Sequence, residues 1–298
     1  MSSRAARTGT NGRTGSGSWG AAVRSGLAAA AATGAARAGL DALTGGADPR
    51  WTRTNHRGAP ISLLEGPAVA AGLVIGAVVG TPSRAALAGA VAAAGGATFG
   101  LIDDLSEDTA AQRKGLRGHL GALAHGELTT GGLKVLGIGA ASLVAAAIAT
   151  PLPGQGSGRG SHLGWAGDVL TSGALVAATA NLVNLFDLRP GRALKAGVIL
   201  AVPGALIGGS TAAAAGLGAV AAALPGDLSE RDMLGDGGAN ALGALIGTAA
   251  VVGCPRAVRH ILLGGAVALT IASERVSFTE VITRTPGLRE LDGWGRRA

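Results

Sequence analysis

The sequence predicts an all-α protein: a polytopic transmembrane helical bundle of about nine spans, or eight without a weak first one. Three observations predict it. Only 14% of the 298 residues are charged while 48% are hydrophobic, against about 25% charged in an ordinary soluble domain. Apolar segments follow one another at 66–81, 85–102, 133–150, 163–185, 196–209, 211–224, 237–252 and 258–272. No period-two alternation of the kind that marks strands stands out among them. The 53 glycines and abundant alanines suit helices whose backbones approach closely in lipid. The bland alternative is a soluble Ala/Gly-rich protein, which the number and length of these runs disfavour.

Taken in order, residues 1–19 are Ser, Gly, Thr and Arg with little to bury, and read as a disordered basic tail. Segment 21–45 is Ala-rich but interrupted by Arg24, Arg37 and Asp41. It reads as a weak first span, an interfacial helix or a poor signal peptide, and the span is favoured. Residues 47–65 are polar. Several later runs fall short of the ~20 residues that cross a bilayer, so flanking residues extend them. The stretch PLPGQGSGRGS at 151–161 is a flexible linker. The organisation expected is a tail over 1–19, a transmembrane helical domain over 20–273 and a cytoplasmic C-terminal tail over 274–298.

Charge sets the sidedness. The loops 46–65, 104–134, 186–195, 225–236 and 274–298 carry 16 of the 25 basic residues, and the opposite loops carry three. Lys and Arg mark the cytoplasmic side, where anionic lipid accounts for the net charge of +7. A nucleic-acid partner would call for basic patches with interleaved aromatics, and the chain has seven aromatics and no Tyr. The single cysteine, Cys254, permits neither an internal disulfide nor a Cys-based zinc site.

Four stretches carry chemistry, all on the expected cytoplasmic side. LIDDLSED at 101–108 runs an apolar segment into Asp103 and Asp104. Paired carboxylates there can hold a hard divalent cation, accept a proton, or both; the bland reading is a polar helix stop. In 114–134, Lys114, Arg117 and His119 lie opposite Leu116, Leu120 and Leu123 and suit phosphate, or simply form a solvated interfacial face. His119 and His125 are six apart, which does not stack them as a helical metal pair. NLVNLFDLRPGR at 181–192 sets Asn184 and Asp187 before Arg189, Arg192 and Lys195, a grouping suited to a phosphorylated ligand. The plain alternative is a basic stop, with Pro190 and Gly191 breaking the helix. LGDGGANALG at 234–243 places Asp236 in a glycine-rich turn that opens a helix, where anions are favoured. Gly-Asp turns are common, so this stretch alone is a weak signal.

The order apolar–DD, KGL, NxxNLxD and GDxGxxxLG resembles the polyprenyl-phosphate N-acetylhexosamine-1-phosphate transferases (glycosyltransferase family 4, MraY- and WecA-like), over about 53–277. The resemblance implies a membrane phosphotransferase. It would move a sugar-1-phosphate from a nucleotide (UDP) sugar to a polyprenyl phosphate, making cell-wall or surface-glycan lipid intermediates. It implies magnesium, or manganese in its place, a multi-pass location in the cell membrane with the site facing the cytoplasm, and allows a homodimer. By position, Asp103, Asp104 and Asp187 would be catalytic, and Asp236 and Asp187 would hold the metal. Asn55, Arg57, Lys114, Asn184, Arg189 and Arg192 would bind substrate. Two departures accompany it. Pro190 replaces the second aspartate of the family's DGLDGLA, a position like one used for the nucleotide base. The family's histidine-rich last loop has no counterpart after the ExxSVI-like stretch 274–282. A degenerate relative that holds polyprenyl phosphate, or scaffolds envelope assembly, is the alternative. A small-solute transporter would want ionisable groups near mid-span, whereas these sit at span ends.

Overall fold

The computed structural model describes residues 15–45, 48–55, 57–80, 83–106, 129–153, 161–208 and 210–297. Residues 1–14 of the expected tail lie outside these, as does the stretch holding Lys114, Arg117, His119 and His125. The protein is helical. Among the described residues nine helices form the body: α1 (Gly15–Thr44), α2 (Glu65–Gly80), α3 (Arg84–Ser106), α4 (Thr130–Ala149), α5 (His162–Phe186), α6 (Arg192–Gly208), α7 (Thr211–Leu228), α8 (Gly235–Gly253) and α9 (Arg256–Ser273). Two short ones follow, α10 (Phe278–Arg284) and α11 (Leu288–Gly293). Every apolar segment read from the sequence is one of these helices, but nine spans do not follow. Among the described residues four helices, α3, α4, α5 and α7, are long and apolar enough to cross a membrane. The bent pair α9–α10 makes up to five if its two parts, 96° apart, are one span. At 16 residues α2 is apolar but short, and α1, α6 and α8 do not reach the same standard.

Local chemistry sets the helix starts. Thr129, Ser161 and Ser210 are extended, and each hydroxyl accepts an N–H of the first turn of α4, α5 or α7. The helix α1 starts earlier than the tail boundary at residue 19. Its uncharged middle packs against α2 and α7, and the Ser25 hydroxyl donates to the carbonyls of Gly76 and Thr211. Arg24 and Arg37, roughly 20 Å apart along the axis, serve opposite ends of the bundle. Arg24 donates to the Gly80 carbonyl, and Arg37 pairs with Asp232 at 2.7 Å. Charge in α1 is therefore compatible with a helix inside the bundle.

Between α1 and α2 the chain departs from the all-α expectation. Strand β1 (Thr52–Thr54) pairs antiparallel with β2 (Pro60–Ser62), and Ser62 bridges onward to Asp232. This ribbon lies over the α7–α8 turn. The segment 274–297 is likewise ordered as α10 and α11.

At the centre stands α8, packed by α2, α3, α5, α6 and α7 and buried along most of its length. Glycine makes the contacts close. A Cβ on Gly96 would come within 2.7 Å of the Asn240 carbonyl oxygen, and one on Gly100 would strike the Asp236 backbone. On the other side Gly243 and Gly247 meet the backbone of α5 at Thr179–Ala180 and Val176. Gly139 in α4 faces open space. Gly96→Ala is expected to destabilise the protein by about 1–3 kcal/mol through overpacking. Gly139→Ala should be neutral or gain up to about 1 kcal/mol of helix propensity. Thermal melting of the two proteins in detergent compares them; equal shifts would contradict the α3–α8 contact.

Candidate functional site

The α8 N-terminus gathers the acids. Its N-cap position, Leu234, offers no side-chain acceptor, so the free N–H groups of the first turn need one from elsewhere. Asp104, at the end of α3, supplies it: its Oδ1 accepts from Asp236 N at 3.0 Å and its Oδ2 from Gly237 N at 2.9 Å. The positive end of the helix favours that carboxylate. The Asp104 carbonyl in turn accepts from the Arg53 guanidinium on β1. Gly235 allows this approach; its φ is +62°, and a Cβ there would lie 3.0 Å from the Asp104 carboxylate.

Asp103 and Asp236 share a cation. Lys134, on the first turns of α4, places Nζ 2.8 Å from Asp103 Oδ2 and also pairs with Asp236. All three side chains keep some access to solvent, at 18–29% exposure. This is a part-open carboxylate–ammonium–carboxylate bridge. Lys134 was not read from the sequence as a site residue, although a lysine inside an apolar run was the available signal.

Asp187 follows the last turn of α5. With Thr54, Asn55, Arg189, Pro190 and Asp227 it lines a cleft of about 170 Å³. Burial pushes its carboxyl well above the ordinary range, and the negative charges of Asp227, Asp236 and Asp104 add to this. A hydrogen bond from Gly235 N–H works the other way. Asn184, one turn earlier, has a buried side-chain oxygen with no partner among the described residues. The exposed Arg189 has no side-chain ion pair or hydrogen bond there and is open to a ligand at the cleft.

Asn55 and Arg57 hold their own loop. The Asn55 side-chain oxygen accepts from the N–H groups of Arg57 and Ala59, and its amide donates to Glu230 at 2.9 Å. Arg57 lies 3.5 Å from the same Glu230, whose φ of +57° is uncommon for a residue with a side chain. Of these two, Asn55 reaches the cleft.

Arg192 turns elsewhere. It is buried, binds Asp292 through two nitrogens at 2.8 and 3.0 Å, and donates to Thr279. Lys195 donates to the carbonyls of Leu291, Asp292 and Trp294, and Arg296 ties Asp292 to the Pro190 carbonyl. Burial alone would raise the Asp292 carboxyl, but Arg192 and Arg296 outweigh it and hold it below the ordinary range. Two of the three cations after Asp187 thus latch the C-terminal helices.

The structure brings Asp103, Asp104 and Asp236 together, with Asp187, Asn55 and Arg189 around the adjoining cleft. Among the described residues no three Asp, Glu, His or Cys side chains encircle a metal position by themselves. The arrangement can bind a cation through two carboxylates at a time and meet an anion with Lys134 or Arg189. Neither a protein-family model nor a curated protein matches the chain.

The raised Asp187 carboxyl has a pH consequence. Its contribution to stability is complete below about pH 4, the usual carboxylate value, and is lost as pH rises through the raised folded value. With a chelator present, Asp187→Asn protein is expected to melt above wild type at pH 8 and level with it at pH 4. Melting curves across that range test this; coincident curves at pH 8 would contradict the burial described.

Proposed function

We propose that this protein is a membrane phosphotransferase that moves a sugar-1-phosphate from a nucleotide (UDP) sugar to a polyprenyl phosphate. The observation that supports it most is the meeting of Asp103, Asp104 and Asp236 at the start of α8, beside a cleft walled by Asp187. These residues come from sequence-distant stretches, in the order that resembles the polyprenyl-phosphate N-acetylhexosamine-1-phosphate transferases.

Phosphoryl transfer asks for positioning and for charge stabilisation. An oxygen of the lipid phosphate attacks the β-phosphorus of the nucleotide sugar, the bond from that phosphorus to the bridging oxygen breaks, and the nucleoside monophosphate leaves with that oxygen. Magnesium, held by Asp236 and Asp187, would neutralise charge on the phosphate oxygens. The donor set fits it: carboxylate oxygens are hard, and magnesium takes one or two carboxylates and completes its shell with water and phosphate. Asp104 fixes the helix start from which Asp236 projects. Lys134 holds Asp103 and Asp236 in place and offers an ammonium to phosphate. Asp103 can accept a proton from the attacking lipid phosphate when that phosphate is protonated. Arg189 meets the nucleotide at the cleft.

In this reading all nine body helices lie in the bilayer. Helices surrounded by other helices, as α8 is, need less hydropathy than lipid-facing ones. The site lies at the end whose loops carry most of the Lys and Arg, hence at the cytoplasmic face of the cell membrane. A second reading, a degenerate relative that binds polyprenyl phosphate without turnover, draws on Arg192, which is committed to Asp292, and on Pro190.

Purified protein with polyprenyl phosphate, magnesium and a panel of nucleotide sugars is expected to release nucleoside monophosphate. Asp236→Asn should lower the rate on the order of 100-fold or more. Wild-type protein that binds the lipid phosphate but turns over no donor would favour the second reading.

A further inference from the structure

Glu65 opens α2 and Asp227 lies in the last turn of α7; each is only 3% exposed. The helices α2 and α7 pack against each other, and the two carboxyls are near neighbours. Asp227 Oδ1 accepts the Gly191 N–H at 2.8 Å. Asp227 Oδ2 and both oxygens of Glu65 are sealed from solvent and have no hydrogen-bond donor among the described residues. Buried carboxylates are ordinarily paired, hydrogen-bonded or bound to a cation.

The cations nearby are already engaged. Arg37 gives two nitrogens to Asp232, at 2.7 and 2.9 Å, while Arg296 and Lys195, the cations near Asp227, are held by Asp292 and by backbone carbonyls. A single shared proton lies between two oxygens and leaves the third without a partner. A hard cation can contact all three, Glu65 through both oxygens and Asp227 through one. Two carboxylates balance a divalent charge. Asp227 also lines the 170 Å³ cleft.

We infer that Glu65 and Asp227 form a divalent-cation site between α2 and α7, additional to the acids at the start of α8. Its ion is structural. It joins the start of α2 to the end of α7, and through the Asp227–Gly191 hydrogen bond it steadies the turn 187–191 that carries Asp187 and Arg189. The site stands whether or not the protein is a transferase.

The test uses chelator-treated full-length protein in detergent, with Mn2+ alone as the probe, since carboxylate sites for calcium or magnesium accept it. Electron paramagnetic resonance counts bound Mn2+ and melting curves report its effect. Wild type is expected to bind Mn2+ and to melt higher with it. Glu65→Gln keeps the volume and hydrogen-bonding capacity of the side chain, yet should lose one equivalent, or bind it at least about tenfold more weakly. Asp227→Asn should do the same. Asp236→Asn should retain that equivalent, so failure of the transferase reading and failure of this site give different results. Unchanged Mn2+ stoichiometry and affinity in both Glu65→Gln and Asp227→Asn would overturn the inference. So would wild-type protein that binds no Mn2+, or melts identically with and without it, which would leave a shared proton as the account of the pair.

Discussion

Much of the structure depends on how the buried start of α8 satisfies its backbone N–H groups. The start of α8 has no capping side chain of its own. The acceptor comes from a neighbouring helix, as the Asp104 carboxylate. That is possible only because α3 and α8 touch backbone to backbone at Gly96 and Gly100. With that contact made, Asp236 is held two residues beyond the N-cap position, Asp103 lies beside it, and Lys134 balances the pair. Packing by small residues and assembly of a charged site are therefore the same event.

Most of the remaining acids cluster at the same end for a related reason. The helix middles are built from Ala, Gly, Val and Leu, which leave no partner for a charge. Glu65, Asp187, Asp227, Asp232 and Lys195 accordingly lie at helix ends or in the turns between them. The ribbon of β1 and β2 and the helices α10 and α11 cover this end. They supply Arg53 to the Asp104 carbonyl, Asn55 to the cleft wall, and Asp292 to Arg192. The covering segments thus fix which cations remain available: Arg189 is open, while Arg192 and Lys195 are not.

Asp103, Asp104, Asp187 and Asp236 were legible in the sequence because a charge ending an apolar run is costly and conspicuous. Lys134, Glu65 and Asp227 have the same character but stand singly, without a neighbouring acid or a glycine-rich turn to draw notice. Arg189 and Arg192 looked equivalent, three residues apart in one basic stretch. Their roles differ because Asp292, a hundred residues further along, meets only Arg192. The tally of spans was less secure than the positions of the helices, since Ala- and Gly-rich runs have helix periodicity without strong hydropathy.

By itself the sequence determined the helical class, the place of each body helix, and the acids that end them, because composition and the positions of charges act locally along the chain. Only the tertiary structure decided that α1 packs as a bundle helix, that Asp104 caps α8, that Lys134 sits between Asp103 and Asp236, and that Glu65 lies near Asp227. Those outcomes depend on which helices come within contact distance, and that is set by glycine positions on facing surfaces rather than by any one segment.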